Sequence, residues 1–343
     1  MITAKKKIRV LVVDDSIVFR ETLARELSRD PFIEVVATAP DPYVARDKLL
    51  EFEPDVMTLD VEMPRMSGID FLRKLIPQYP IPAVVVSAVS ANIFDALSAG
   101  AVDFVTKPDA KSSKNMELFI QELISKIKIA STAKVEPPKR ECVREAVSAG
   151  VITKIGDRII AIGASTGGTE AIFEVIRSFP RNMPGIVIVQ HMPPVFTAMY
   201  AQRLNNSCLM EVKEAETGDV VMPGRVLIAP GARHMRINRQ GGRYVVECFK
   251  GESENGHCPS VDVLFNSVAE KAGAAGIGVI LTGMGYDGAK GLLKMKLAGA
   301  VTIGQDQQSC IVYGMPKVAC EIGAVTKQAP LGNISRLICS YLN

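Results

Sequence analysis

Ile159-Ile160-Ala161-Ile162-Gly163-Ala164-Ser165-Thr166-Gly167-Gly168 is the stretch on which the reading of the fold turns. An apolar run of this length, bounded by turn residues, reads as a buried strand. The glycines that follow permit a tight reversal where a Cβ would clash. Ser165 stands at the crest of that corner, and Gly-x-Ser-x-Gly at a strand-to-helix turn is one way α/β folds present a nucleophile. A glycine-rich turn opening a helix also offers backbone N–H groups to anions. The motif alone therefore leaves a nucleophile and a phosphate cradle open in about equal measure.

Two further segments favour the nucleophile. Gly185-Ile186-Val187-Ile188-Val189 is a second apolar strand, ending in Gln190-His191-Met192-Pro193. Ile277-Gly278-Val279-Ile280-Leu281 is a third, ending in Thr282-Gly283-Met284-Gly285-Tyr286-Asp287-Gly288. Strand C-termini of an open parallel sheet share one edge, where ligands bind. Ser165, His191 and Asp287 are thus expected in one crevice, with the histidine as base and the aspartate fixing its tautomer. Their chain order, Ser-His-Asp, differs from the Ser-Asp-His of α/β-hydrolases. Taken singly, His191 reads as a packing residue and Asp287 as a turn aspartate bonding its own backbone. The triad rests on three coincident strand ends. His234 and His257 lack such placement and read as surface or supporting residues.

The chain has 343 residues, 48% hydrophobic and 22% charged, with a net charge of +3. That length gives room for roughly two domains. The charge is too small to argue for nucleic acid or a membrane surface. The seven cysteines form no Cys-x-x-Cys pair, which argues against a disulfide framework and a zinc site. Lys5-Lys6-Lys7 leads into an apolar run broken at once by Asp14 and Asp15. No signal peptide and no bilayer-spanning stretch are expected, and a reducing cytoplasm is the expected location.

Short apolar runs at 8–13, 33–37, 56–59, 83–86 and 102–105 alternate with amphipathic segments, the last at 115–129. Such alternation predicts a doubly wound parallel sheet over residues 1–129. Residues 130–156 turn charged and contain Pro137-Pro138, which reads as a linker, partly helical near 141–147. An α/β pattern resumes over 157–343, with a mainly parallel sheet. In the first half polar residues again stand at strand ends: Asp14 and Asp15, Asp60, Ser87 and Lys107. Three converging carboxylates need a cation, and hard oxygen ligands suit Mg²⁺. A lysine and a hydroxyl beside them would steady phosphoryl oxygens.

The first half resembles the receiver domain of two-component response regulators. The resemblance lies in Val12-Val13-Asp14-Asp15-Ser16, in Asp60-Val61-Glu62-Met63-Pro64-Arg65-Met66-Ser67-Gly68, in Ser87 and in Phe104-Val105-Thr106-Lys107-Pro108. It implies that Asp60 accepts phosphate and that Asp15, Asp60 and the Glu62 carbonyl bind Mg²⁺, with Asp14 acting through water. It also implies Ser87 and Phe104 as a switch pair and Lys107 as the phosphoryl contact. The segment 87–100 is short for that family. The second half resembles the methylesterase domain of the CheB family. The carriers are the Ser165, His191 and Asp287 segments, Ala229-Pro230-Gly231-Ala232-Arg233-His234-Met235 and Pro259-Ser260-Val261-Asp262-Val263-Leu264-Phe265. Cys258 stands where a basic residue is expected. This resemblance implies Ser165 as nucleophile, His191 as base, Asp287 as orienting acid and the Met284 N–H as oxyanion donor.

Together the two resemblances imply an esterase held back by its receiver until phosphorylated. It would act on glutamate γ-methyl esters of chemoreceptor cytoplasmic helices, and on glutamine by deamidation. The implied partners are methyl-accepting chemoreceptors and a chemotaxis histidine kinase, without nucleic acid or membrane insertion. Mg²⁺ is expected in the receiver and no cofactor in the esterase. One alternative is a response regulator with a non-catalytic binding output; the second half has no basic stripe or helix-turn-helix pattern to support a DNA reader. Another is a dinucleotide oxidoreductase, but Gly163-x-x-x-Gly167-Gly168 lacks the G-x-G-x-x-G spacing.

Overall fold

Valine and isoleucine runs become the central strands, since β-branched side chains suit a pleated surface covered on both faces. The computed structural model describes residues 6–88, 92–108, 113–135 and 156–342. The chain divides into two compact units, Met1–Arg140 and Glu141–Asn343. This division falls inside the 130–156 stretch expected as a linker; the helical turn expected near 141–147 lies outside the described residues.

The first unit holds β1 (Ile8–Val13), β2 (Ile33–Ala39), β3 (Val56–Asp60), β4 (Ala83–Ser87) and β5 (Asp103–Thr106). They form one parallel sheet in the order β2-β1-β3-β4-β5. This is the order of flavodoxin-like doubly wound folds, in which the chain switches direction between β1 and β3. The helices are α1 (Ile17–Leu27), α2 (Pro42–Phe52), α3 (Gly68–Leu75), α4 (Ile93–Ser98) and α5 (Ser113–Ala130). Local chemistry starts them: Ser16 Oγ accepts from Phe19 N at the head of α1, and Asp41 caps α2 with Pro42 in its first turn, both preferred at those positions. In the segment read as short, residues 89–91 lie outside the described residues and α4 spans 6 residues.

The second unit builds a wider sheet. Its strands are β6 (Ile159–Ala164), β7 (Gly185–Gln190), β8 (Glu211–Glu214), β9 (Arg225–Ile228), β12 (Gly276–Ile280), β13 (Val301–Gln305) and β14 (Lys327–Ala329). All pair in parallel, in the order β14-β13-β12-β6-β7-β9-β8. The strands β10 (His234–Gln240) and β11 (Arg243–Phe249) stand apart as an antiparallel hairpin. Gly241 and Gly242 close it with φ of 54° and 80°, the left-handed pair that a two-residue hairpin turn demands. The helices are α6 (Gly168–Ile176), α7 (Phe196–Ser207), α8 (Val261–Ala272), α9 (Ala289–Leu297), α10 (Met315–Glu321) and α11 (Leu331–Ser340). Helix α8 packs against both β10 and α9. Its Leu264, Phe265 and Val268 are fully buried with Ile237 and Leu292. No helix among the described residues is long and apolar enough to cross a membrane.

Candidate active site

In the second sheet the chain runs from β6 outward through β7, then returns to β12 on the other side of β6. The switch point lies between β6 and β12, which is where open α/β sheets bind ligands. Ser165 follows β6 there. His191 follows β7 and Asp287 lies in the loop after β12, so the three expected residues leave three adjacent strands. Ser165 N donates to Thr282 O at 3.0 Å and His191 N to Ala164 O at 3.2 Å, which stitches the three loop roots together. Gly167 completes the turn at φ 76°. Gly283 lies so close that a Cβ there would come within 2.7 Å of Ser165 Cβ.

His191 and Asp287 form the polar centre. His191 Nε2 lies 2.8 Å from Asp287 Oδ2. Asp287 is 1% exposed and sits at the N-terminus of α8. It accepts from Val261 N at 2.7 Å, Asp262 N at 3.3 Å, Ser260 Oγ at 2.8 Å and Asn255 Nδ2 at 2.8 Å. The aspartate therefore bonds another element's backbone, not its own turn. Burial pushes its carboxyl up, but His191, Asn255 and the α8 N–H groups together hold it well below the usual carboxylate range. Helix N-termini favour anions for the same reason. An ionised Asp287 only accepts, so Nε2 carries the imidazole proton and Nδ1 of the neutral ring keeps a lone pair. That Nδ1 is buried and has no hydrogen-bond partner among the described residues.

Among the described residues no hydrogen bond joins Ser165 Oγ to His191. Free enzymes commonly hold such pairs loosely until substrate arrives. Ser165 itself is half-buried. Met284 is 43% exposed, in the loop between Gly283 and Asp287, beside the Ser165 turn.

Several further side chains support the site. Asn255 spans two carboxylates, donating also to Asp262 Oδ2 at 2.8 Å. Burial, and then the neighbouring Asp287 charge, push the Asp262 carboxyl up against the bonds it accepts from Gly291 and Asn255. His234 is buried, at 2% exposure, and not on the surface. Its Nδ1 accepts from Ser260 N at 3.2 Å while Nε2 meets Glu252 O at 2.8 Å. His257 stacks on His191, with ring centroids 3.7 Å apart and planes 9° from parallel. Ser260 had a signal: it caps α8 through Val263 N, as a serine before an apolar helical run should. Asn255, at φ 55°, had none.

The first sheet carries its own acidic edge at its own switch point. Asp14 and Asp15 follow β1, and Asp60 ends β3. Carboxylate oxygens of the three lie within 4.8 Å of one another. Asp14 and Asp60 are buried and Asp15 is exposed. Lys107 Nζ lies 2.8 Å from Asp14 Oδ2 and 2.6 Å from Asp60 Oδ2. Burial would lower the Lys107 ammonium, but both aspartates outweigh it and raise it. On Asp60 burial wins, and the carboxyl is pushed up despite Lys107. An all-oxygen, multiply charged donor set open on its Asp15 side suits Mg²⁺ and leaves room for waters or phosphate oxygens. Glu62 is exposed, and its N–H donates to Asp60 Oδ1 at 3.3 Å. Ser87 and Phe104 are buried at 0% and 5% exposure on the adjacent strands β4 and β5, and Lys107 N donates to Ser87 O at 2.9 Å.

The protein thus has two units, one with an acidic cluster beside Lys107 and one with a His–Asp pair beside a serine turn. Known families match both units: the CheB methylesterase model over residues 160–338 and the response regulator receiver domain over residues 10–116. The chain belongs to the CheB methylesterase family. A protein of Syntrophomonas wolfei subsp. wolfei, named protein-glutamate methylesterase/protein-glutamine glutaminase 2, is 58% identical over 338 residues, covering 98% of each chain. A protein-glutamate methylesterase/protein-glutamine glutaminase of Salmonella typhi is 47% identical over 341 residues, covering 98% of this chain and 97% of that one. The crystal structure of the Thermotoga maritima CheB methylesterase catalytic domain matches with a TM-score of 0.53 at 40% identity, covering 54% of this chain and 99% of that one.

Proposed function

We propose that the chain is a phosphorylation-activated protein-glutamate methylesterase, which hydrolyses glutamate γ-methyl esters on the cytoplasmic helices of methyl-accepting chemoreceptors and releases methanol. The observation that carries this reading is the buried His191–Asp287 pair, with Nδ1 unpartnered, at the strand edge that bears Ser165. Ser165 Oγ attacks the ester carbonyl carbon as His191 Nδ1 takes the hydroxyl proton. Asp287 stabilises the imidazolium that forms. The oxyanion is met by the Met284 N–H, a preorganised donor of the kind that stabilises developing charge. As the intermediate collapses, the C–O bond to the methoxy group breaks and His191 returns the proton to it, so methanol leaves. Water, deprotonated by the same nitrogen, then frees Ser165 and leaves a glutamate carboxylate. Glutamine enters the same sequence with ammonia as the leaving group.

In the first unit Asp60 is the phospho-acceptor, with a chemotaxis histidine kinase as donor. Asp14, Asp15 and Asp60, with the Glu62 carbonyl, would hold Mg²⁺. When bound, Mg²⁺ offsets the charge of carboxylate and phosphoryl oxygens as they approach. Lys107 binds a phosphoryl oxygen, and Ser87 with Phe104 carries the resulting change of state, a shift in population between two conformations. The setting is the cytoplasm, where receptor signalling helices and the kinase reside. The test is methanol release from a methylated receptor fragment with and without acetyl phosphate and Mg²⁺. Stimulation in the wild type supports the reading. Phosphorylation of the chain with no methanol formed under any condition defeats it.

A further inference from the structure

The base is held in its plane by surprisingly little. Among the described residues the His191 ring has one hydrogen bond, Nε2 to Asp287, and hydrogen bonds tolerate tilts of tens of degrees. Rotation of the ring about its Cβ–Cγ bond would swing Nδ1 out of line without breaking that tether. The face of the ring has a neighbour, however: His257, nearly parallel and 3.7 Å away between centroids. The backbone that carries the His257 ring is held by a reciprocal pair, Glu254 N to His257 O at 3.0 Å and His257 N to Glu254 O at 2.9 Å. Between those two residues lies Asn255, whose amide holds Asp287 Oδ1. Just beyond them Ser260 holds the same oxygen. One short loop thus grips the acid with its side-chain donors and lays a flat ring against the base.

We propose that His257 is a positioning residue of this enzyme: its ring, stacked on His191, locks the plane of the imidazole and so the direction of Nδ1. The need for such a lock follows from the chemistry, because a misplacement of about 1 Å in a reacting group can cost on the order of 100-fold in rate. What is required of residue 257 is a flat face. A face of this kind also accommodates the imidazolium that forms as Ser165 loses its proton, since an aromatic face attracts a cation. This inference rests on the assignment of Ser165 and His191 as nucleophile and base.

The experiment measures methanol release from a methylated receptor fragment by the full-length chain, phosphorylated with acetyl phosphate, for the wild type and for His257→Ala, His257→Leu, His257→Phe and Ser165→Ala. His257→Ala and His257→Leu are expected to lower kcat by about ten- to a hundredfold, with KM within about twofold, because substrate contacts stay in place. His257→Phe keeps a flat face and is expected to recover most of kcat. A wild-type rate in folded His257→Ala overturns the inference. So does His257→Phe as slow as His257→Leu, which would place the function of His257 in its nitrogens. If the alanine variant melts below the assay temperature, the phenylalanine–leucine comparison alone decides. Ser165→Ala separates the two levels of the argument: methanol release surviving in it sinks the nucleophile assignment, whereas a dead Ser165→Ala beside a fully active His257→Ala sinks only the role of His257.

Discussion

Asp287 meets His191 through Nε2, 2.8 Å from Oδ2, and that bond makes Nδ1 the basic atom of the site. The ionised aspartate cannot donate, so the proton must sit on Nε2. Nδ1, without a partner among the described residues, is then the one ring atom able to accept a proton. The arrangement holds because Asp287 is anchored on the α8 N-terminus, by Val261 N and Asp262 N as well as Ser260 Oγ. A carboxylate so bound has little freedom to follow the imidazole, and the imidazole must align to it.

That anchoring should be measurable one donor at a time. Asn255→Ala and Ser260→Ala each remove one bond to Asp287 Oδ1, leaving a buried charge less satisfied. Each is expected to cost about 1–3 kcal/mol of stability and to lower kcat by roughly tenfold or more, because a shift in Asp287 carries His191 with it. Thermal melting alongside methanol release checks both, and wild-type kcat in either variant would remove that residue from the site's support.

Acid stability carries the sign of the Asp287 shift. Its carboxyl is held below its ordinary range in the folded chain and titrates near 3.9 when unfolded. Between those values the unfolded chain binds a proton that the folded chain does not, so stability falls as pH falls. Above about pH 5 the contribution is complete. Melting of wild type against Asp287→Asn should show a constant gap from about pH 7 to about pH 5, closing below about pH 4. A gap that widens in acid contradicts the anchoring.

On the receiver side, Asp60→Asn should abolish labelling by acetyl phosphate, and chelation of Mg²⁺ should do the same to the wild type, because carboxylate attack on phosphorus needs its charge offset. Phosphate mass on a tryptic peptide checks this. Stoichiometric incorporation into Asp60→Asn would move the acceptor elsewhere.

Regulation gives a further expected outcome. If the receiver restrains the esterase, a chain beginning after Pro138 should release methanol faster than the unphosphorylated full-length protein. Equal or slower rates would mean that the receiver does more than restrain.

Much of this was legible in the sequence, for physical reasons that also mark where legibility ends. The strands β6, β7 and β12 are buried in full and apolar but for Gln190 at the end of β7, so composition marks them, and their ends carry Ser165, His191 and, a short loop further on, Asp287. In the first unit β3 and β4 are likewise buried in full, whereas β1, β2 and β5 were visible through apolar runs covering only part of each strand. Strand β8, with burial only at Val212, and β14, three residues long with Ala329 alone buried, sit on sheet edges and carry too little apolar pattern to be seen. The supporting cast was hidden differently. Asn255, His257 and His234 act on Asp287, His191 and Ser260 across the turn of a loop and the side of a hairpin, contacts that arise from tertiary packing and have no periodicity. The Gly241-Gly242 turn signal was present and could have placed the hairpin, and with it His234 at the head of β10.

The measurement that tests the central claim most directly is methanol release from a methylated receptor fragment by Ser165→Ala, His191→Ala and the double variant, all phosphorylated and all shown to be folded. Residues that act as one unit fail together, so each single change should lower kcat by on the order of 10⁴–10⁶ and the double change should go no lower. Turnover by Ser165→Ala near the wild-type rate, or losses in the two singles that multiply in the double, would contradict a Ser165 nucleophile activated by His191 Nδ1.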